Sequence, residues 1–101
     1  METTTTHKKN KLHTTLIKEL NTLIIVPGFE NRVSVKFLFD NIKLSKIRVG
    51  RKKIKTIDNK IRIVKGKFIA VFDNGFELII DKAIYDHYRF EVEEELFWYY
   101  Q

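Results

Sequence analysis

Residues 52–80 read KKIKTIDNKIRIVKGKFIAVFDNGFELII, and where the turns fall in this stretch decides the fold. Three candidate turns interrupt runs of β-branched and aromatic residues, and each can be tested by the cross-strand pairs it implies. A two-residue loop at Asp58-Asn59 pairs Ile57 with Lys60, Thr56 with Ile61, Lys55 with Arg62 and Ile54 with Ile63. A loop at Lys65-Gly66 sets Ile63 against Phe68 and Ile61 against Ala70, which keeps the same face apolar. Asp73-Asn74-Gly75 works as a three-residue loop with Gly75 in the left-handed region, pairing Phe72 with Phe76, Ala70 with Leu78 and Phe68 with Ile80. A two-residue Asn74-Gly75 loop would set Phe72 against Glu77, so register decides against it. The expected product is a four-stranded meander whose inner face carries Ile54, Thr56, Ile61, Ile63, Phe68, Ala70, Phe72, Phe76, Leu78 and Ile80.

Upstream, Ile42 to Val49 changes phase once, since Ile42 and Leu44 are out of step with Ile47 and Val49; a bulge near Ser45-Lys46 reconciles them. Val33, Val35, Phe37 and Phe39 alternate with Ser34, Lys36 and Leu38, which predicts a strand ended by a turn at Asp40-Asn41. Pro27-Gly28 fits a type II turn. Before it, Leu12, Leu16, Ile17, Leu20, Leu23 and Ile24 fall at helical spacing, with Thr14 or Thr15 as N-cap, although the β-branched tail from Leu23 to Val26 also suits a short strand. Residues 1–11, METTTTHKKNK, have no apolar periodicity and read as a flexible basic arm ahead of a single domain over 12–101.

Downstream of Asp81-Lys82 a short irregular or helical piece runs to Asp86, and Tyr88, Phe90 and Val92 then alternate as a strand. Leu96, Trp98 and Tyr100 resume the alternation after Glu94, by a bulge or, alternatively, with a short helix starting at Glu93; the strand is the expectation. The fold class is therefore α+β: an N-terminal helix packed on an antiparallel β-meander or partly open barrel of roughly five to seven strands.

A chain of 101 residues with 44% apolar side chains holds one small core, which excludes a multidomain enzyme. No cysteine is present, so disulfide frameworks, thiolate zinc sites and thiol nucleophiles are excluded. The longest apolar runs fall far short of the ~20 residues that span a bilayer, and a cytoplasmic protein without membrane contact is expected. Thirteen Ile and fourteen Lys beside two Ala and one Gln fit an AT-rich genome or a hot habitat.

The formal charge of +6 hides a division. Residues 1–67 carry seventeen basic and five acidic side chains, a net of +12, whereas 68–101 carry two basic and eight acidic, a net of −6. Between Lys43 and Lys67 eleven basic residues meet only Asp58. The expected pairing puts Lys53, Lys55, Lys60 and Arg62 on the sheet face opposite the core, extended by Arg51 and Lys67. Lys55 opposite Arg62 is a like-charge pair, mildly destabilising unless an anion relieves it. A basic β-ribbon of this kind suits the phosphate backbone, with Lys8, Lys9 and Lys11 of the arm wrapping the partner. The expectation is a nucleic-acid-binding protein, largely sequence-independent, with DNA ahead of RNA. The bland reading of the same charge is a Lys-rich strand kept soluble and protected from edge pairing.

Phe97, Trp98, Tyr99 and Tyr100 resemble a stacking platform, but Glu91, Glu93, Glu94 and Glu95 beside them in sequence would repel phosphate, so these rings are assigned to core or interface. This supports the alternative function, a protein-interaction or inhibitor module that dimerises through its acidic aromatic end. Small size and basicity also fit a protein of a virus or mobile element acting on a host factor.

Chemistry is not expected. His7 and His13 lack a third ligand nearby, and His87 has Asp86 and Tyr88 as chain neighbours on opposite strand faces. A metal nuclease would have to use Asp73, Glu77, Asp81 and Lys82, of which Asp73 lies in a turn and Glu77 points away from the core. No phosphate-binding glycine loop is present, and neither a metal, a cofactor nor a small-molecule substrate is expected.

Overall fold

The computed structural model describes residues 14–100, without the side chains of Lys65 and Tyr100; the expected arm, with Lys8, Lys9 and Lys11, lies outside the described residues. The protein is α+β, and its sheets are open and mostly antiparallel. It divides into two compact units after Lys43. No described helix is long and apolar enough to cross a membrane.

In the first unit, helix α1 spans residues 14–20 and closes with Asn21 N–H donating to the Ile17 carbonyl. Strands β1 (Leu23–Ile24) and β2 (Val33–Ser34) pair antiparallel, Leu23 opposite Ser34. Between them Phe29 N–H donates to the Val26 carbonyl, and Gly28 takes φ +94°, the type II geometry expected of Pro27-Gly28.

The strand expected over residues 33–39 is instead two strand residues followed by helix α2 (Val35–Asn41). Ser34 decides this, because its hydroxyl accepts from Phe37 N–H and caps the helix. Val35 and Leu38, three apart, are buried on one helical face. Leu38 is the residue the alternating reading left on the polar face, and it is fully buried, while Phe37 from the supposed apolar face is 40% exposed. Lys36 pairs with Asp40 one turn on, and the Asn41 amide donates to the Phe37 carbonyl, so Asp40-Asn41 ends a helix instead of a strand.

The second unit is one four-stranded sheet, ordered β5-β4-β3-β6, with a helix on it. Strands β3 (Leu44–Lys55) and β4 (Ile61–Phe72) form a long antiparallel hairpin, and β5 (Glu77–Ile80) returns along β4. The register slips between Leu44 and Lys46, which places the expected bulge at Ser45. The β4–β5 pairs Ala70 with Leu78 and Phe68 with Ile80 also stand as expected, and Gly75 takes φ +87°.

The other two turns do not. Thr56 N–H donates to the Lys60 carbonyl and Asn59 N–H to the Thr56 carbonyl, the same pattern that Phe72, Phe76 and Gly75 make at the next turn. The first hairpin loop is therefore three residues long, with Asn59 at φ 62°, a conformation asparagine tolerates better than other side chains. No turn forms at Lys65-Gly66; β4 runs straight through it. The expected meander of four short strands is in fact three strands, two of them twelve residues long.

Helix α3 (Lys82–Tyr88) begins where the Asp81 carboxylate accepts from Ala83 and Ile84 N–H, and a 3-10 turn (Arg89–Glu91) continues it. The strand expected from Tyr88 to Val92 is thus a helix end. Strand β6 (Glu94–Tyr100) is a strand as expected but runs parallel to β3. Because β5 and β3 are both antiparallel to β4, α3 is the crossover that carries the chain from one sheet edge to a parallel strand at the other.

Leu44, Ile47, Val49, Phe68, Ala70, Phe72 and Ile80 are buried on the sheet and Ile84 and Tyr85 on α3. Tyr85 stacks on Phe68 with ring centroids 4.1 Å apart, and its hydroxyl donates to Glu94. Burial first, and the Glu94 carboxylate second, push the Tyr85 hydroxyl up to about 12. A pKa raised on folding means stability that is complete below the ordinary value near 10 and is lost as pH climbs from 10 to 12. Chemical denaturation across that range is expected to show Tyr85→Phe less stable by about 1 kcal/mol at neutral pH, with the gap closing above pH 10 and reversed by pH 12. An unchanging gap overturns the assignment.

Candidate nucleic-acid interface

Two faces follow from the register of β3. Ile47, Val49, Arg51, Lys53 and Lys55 alternate onto the face covered by α3 at its near end; Lys46, Arg48, Gly50, Lys52 and Ile54 lie on the other. The three-residue loop moves β4 by one place relative to expectation, so Lys55 opposes Ile61 and Ile54 opposes Arg62. The expected like-charge pair of Lys55 and Arg62 does not form. Arg51, Lys53 and Lys55 share the core-side face beyond the reach of α3, with Ile61 and Ile63, which are 70% and 53% exposed and so are not core. Arg62 is on the opposite face with Lys52, a cation that sequence reasoning left out of the site. Lys60 flanks the loop and Lys67 is exposed beside the register shift at Gly66. The six expected residues therefore gather on one ribbon but ring it instead of lining one side.

Neutralisation stops halfway along β3. Lys46 Nζ lies 2.5 Å from Glu95, and Arg48 lies 3.4 Å from Glu95 and 3.7 Å from Glu77. Lys46 above all holds the Glu95 carboxyl below the usual carboxylate range. Past Val49, among the described residues, no carboxylate comes within 4.0 Å of Arg51, Lys52, Lys53, Lys55, Arg62 or Lys67. Asp58, the single acid of the hairpin end, accepts from the Thr56 hydroxyl and faces Lys60 at 4.0 Å; its carboxyl is lowered chiefly by that hydroxyl.

The acids of the second half stand elsewhere. Glu93, Glu94 and Glu95 line a cleft of about 300 Å³ with Ser45 and Lys46, opposite the start of β3. From Ile47, beside Glu94, to Lys53 the strand rises roughly 20 Å, more than twice the Debye length of ~8 Å at physiological salt. These carboxylates leave the field at the ribbon end almost untouched.

The four aromatic residues assigned to an interface separate by face. Phe97 and Tyr99 lie against β3 and β4 on the side away from α3, where a Cβ on Gly50 would sit 2.8 Å from Phe97 Cζ and one on Gly66 would collide with the Tyr99 hydroxyl. Arg48 stacks over Phe97 at 4.5 Å. Trp98 is on the α3 side, opposite Arg51 in register, with Lys53 Nζ 4.9 Å from its ring centroid. The parallel pairing of β6 with β3 brings it there, and no local signal in residues 93–101 announces that pairing. The side chain of Tyr100 is outside the described residues.

Of Asp73, Glu77, Asp81 and Lys82, Asp73 lies in the turn before β5, Glu77 faces Arg48, Asp81 caps α3 and Lys82 pairs with Asp86. His87 packs edge-on to Tyr88. Comparison with protein families, with curated proteins and with solved structures finds no match for this chain.

Proposed function

We propose that the protein binds nucleic acid through the phosphate backbone, using the far end of the β3–β4 hairpin, largely without regard to sequence. The observation that carries this reading is the unneutralised half of the ribbon. Residues 51–65 hold seven basic side chains and one acid, and that acid is bound within its own loop. Cations on both faces and at the tip suit a partner that surrounds the ribbon or is tracked by it, as a polyanionic strand is. Lys8, Lys9 and Lys11 extend the same charge along the chain. DNA is the first partner to try and RNA the second. The alternative, self-association through the aromatic end, has less support, because Phe97 and Tyr99 are already taken up against Gly50 and Gly66.

The test is a salt titration with fluorescently labelled oligonucleotides, single-stranded and duplex, read by polarisation. Each neutralised phosphate contributes a slope near −0.9 on duplex or −0.7 on single strands, so about five contacts cost a hundredfold or more between about 50 and 200 mM salt. No binding at the lower salt, or affinity independent of salt, overturns the reading.

A further inference from the structure

We infer that Trp98 is a base-stacking residue and that the favoured partner is single-stranded nucleic acid with unpaired bases; this rests on the nucleic-acid reading above and deepens it. Sequence order sets Trp98 among acids, but the fold sets it among cations. It is 49% exposed on the same face as Arg51 and Lys53, whereas Glu95 points to the other face and is held by Lys46 and Arg48. Glu94, on the face of Trp98, is four residues back, bound by Tyr85 and 3.6 Å from Arg89.

The surface around the indole has the two components that single-strand binders combine. Along β3, Arg51, Lys53 and Lys55 repeat every second residue, about 6.8 Å apart, a row of cations for a backbone to follow. On one side of that row Trp98 and the exposed Leu96 of β6, and on the other the exposed Ile61 and Ile63 of β4, offer aromatic and aliphatic surface on which bases can lie. A duplex keeps its base faces stacked on one another and cannot use such a surface; an unpaired base can.

Lys53 now covers the indole, and the exchange favours the base. A cation–π contact at an exposed site contributes about two- to fivefold in an equilibrium, whereas stacking a base on an aromatic ring contributes about 5- to 150-fold. The displaced ammonium stays within reach of the phosphate that accompanies the base, so its charge is reused.

Trp98 is the single tryptophan of the chain, which makes its emission a direct reporter. The full protein is titrated with a dT oligomer and with a duplex of equal length, following tryptophan emission and, separately, polarisation of labelled nucleic acid. Expected are quenching by the single strand, a loss of single-strand affinity of about 5- to 150-fold in Trp98→Ala, and retention of most affinity in Trp98→Phe, with duplex affinity unchanged in both. If polarisation reports single-strand binding while emission stays constant and Trp98→Ala binds as the wild type does, stacking is overturned and backbone binding stands. If neither probe reports binding, both fall. Emission that shifts with protein concentration in the absence of nucleic acid assigns the surface to a second copy and also overturns the inference.

Discussion

The triple replacement of Lys52, Lys55 and Arg62 by glutamate is expected to weaken nucleic-acid binding about a thousandfold while leaving the fold intact. The three positions sample both faces of the ribbon, and none has a carboxylate partner within 4.0 Å among the described residues. Each phosphate contact contributes 0.7–0.9 of a decade in affinity per decade of salt, which at ~0.15 M amounts to about two-thirds of a decade apiece. Losing three contacts removes about two decades, and the like-charge repulsion of three new carboxylates adds at least one more. Stability is expected to move by no more than about 0.5 kcal/mol at each of the exposed Lys55 and Arg62, and by about 1 kcal/mol at the half-buried Lys52. A rise in melting temperature would be expected if Lys55 opposed Arg62, but Lys55 faces Ile61, so no repulsion is relieved. The matched control changes Lys18, Lys36 and Lys82 to glutamate, with the same change in net charge at positions outside the β3–β4 hairpin. Polarisation titrations that show equal losses in the two triple variants would reduce the ribbon to general basicity and sink the proposed site.

How far these residues could be found from sequence depends on the range of the interaction that places them. The charge was legible, since seven cations within fifteen residues need no fold to be noticed. So were features fixed by neighbours: the left-handed Gly75, the Pro27-Gly28 turn and the phase change at Ser45. The face on which each cation lies was not, because it turns on whether the first loop has two residues or three, and Asn59 settles this by adopting a conformation more often given to glycine. Gly66, between two lysines, has the composition of a turn, yet it is a gap in a continuous strand kept open for Tyr99, thirty-three residues later. The same long range hides the relation of Trp98 to Lys53. An expectation that the acidic C-terminal segment would repel phosphate treated sequence neighbours as spatial ones; in a strand, successive side chains take opposite faces, and the crossover through α3 brings β6 beside the basic strand.

Gly50→Val is expected to cost about 2 kcal/mol. Gly50 is buried in the middle of β3, and β6 runs beside it with Phe97 in register. A Cβ built there lies 2.8 Å from Phe97 Cζ and 2.9 Å from Tyr99 Cε1, closer than side-chain carbons approach, so two rings must move at once. Valine gains about 0.5–1 kcal/mol over glycine from lower chain entropy and better strand propensity. Overpacking a well-filled site costs ~1–3 kcal/mol for added methylenes, and here the displaced Phe97 also gives up its stacking under Arg48. The steric term wins, and a fall in melting temperature on the order of 10 °C follows for a unit of this size. Combining Gly50→Val with Phe97→Ala vacates the contested space, so the double variant is expected to lose less than the sum of the two single losses. Strict additivity would place the cost of Gly50→Val somewhere other than Phe97, and a Gly50→Val protein as stable as the wild type would mean that the rings swing clear without cost. Trp98 lies between Phe97 and Tyr99 in β6, so a shift of both neighbours also moves the indole relative to Lys53; tryptophan emission therefore reports the same displacement independently of the melt.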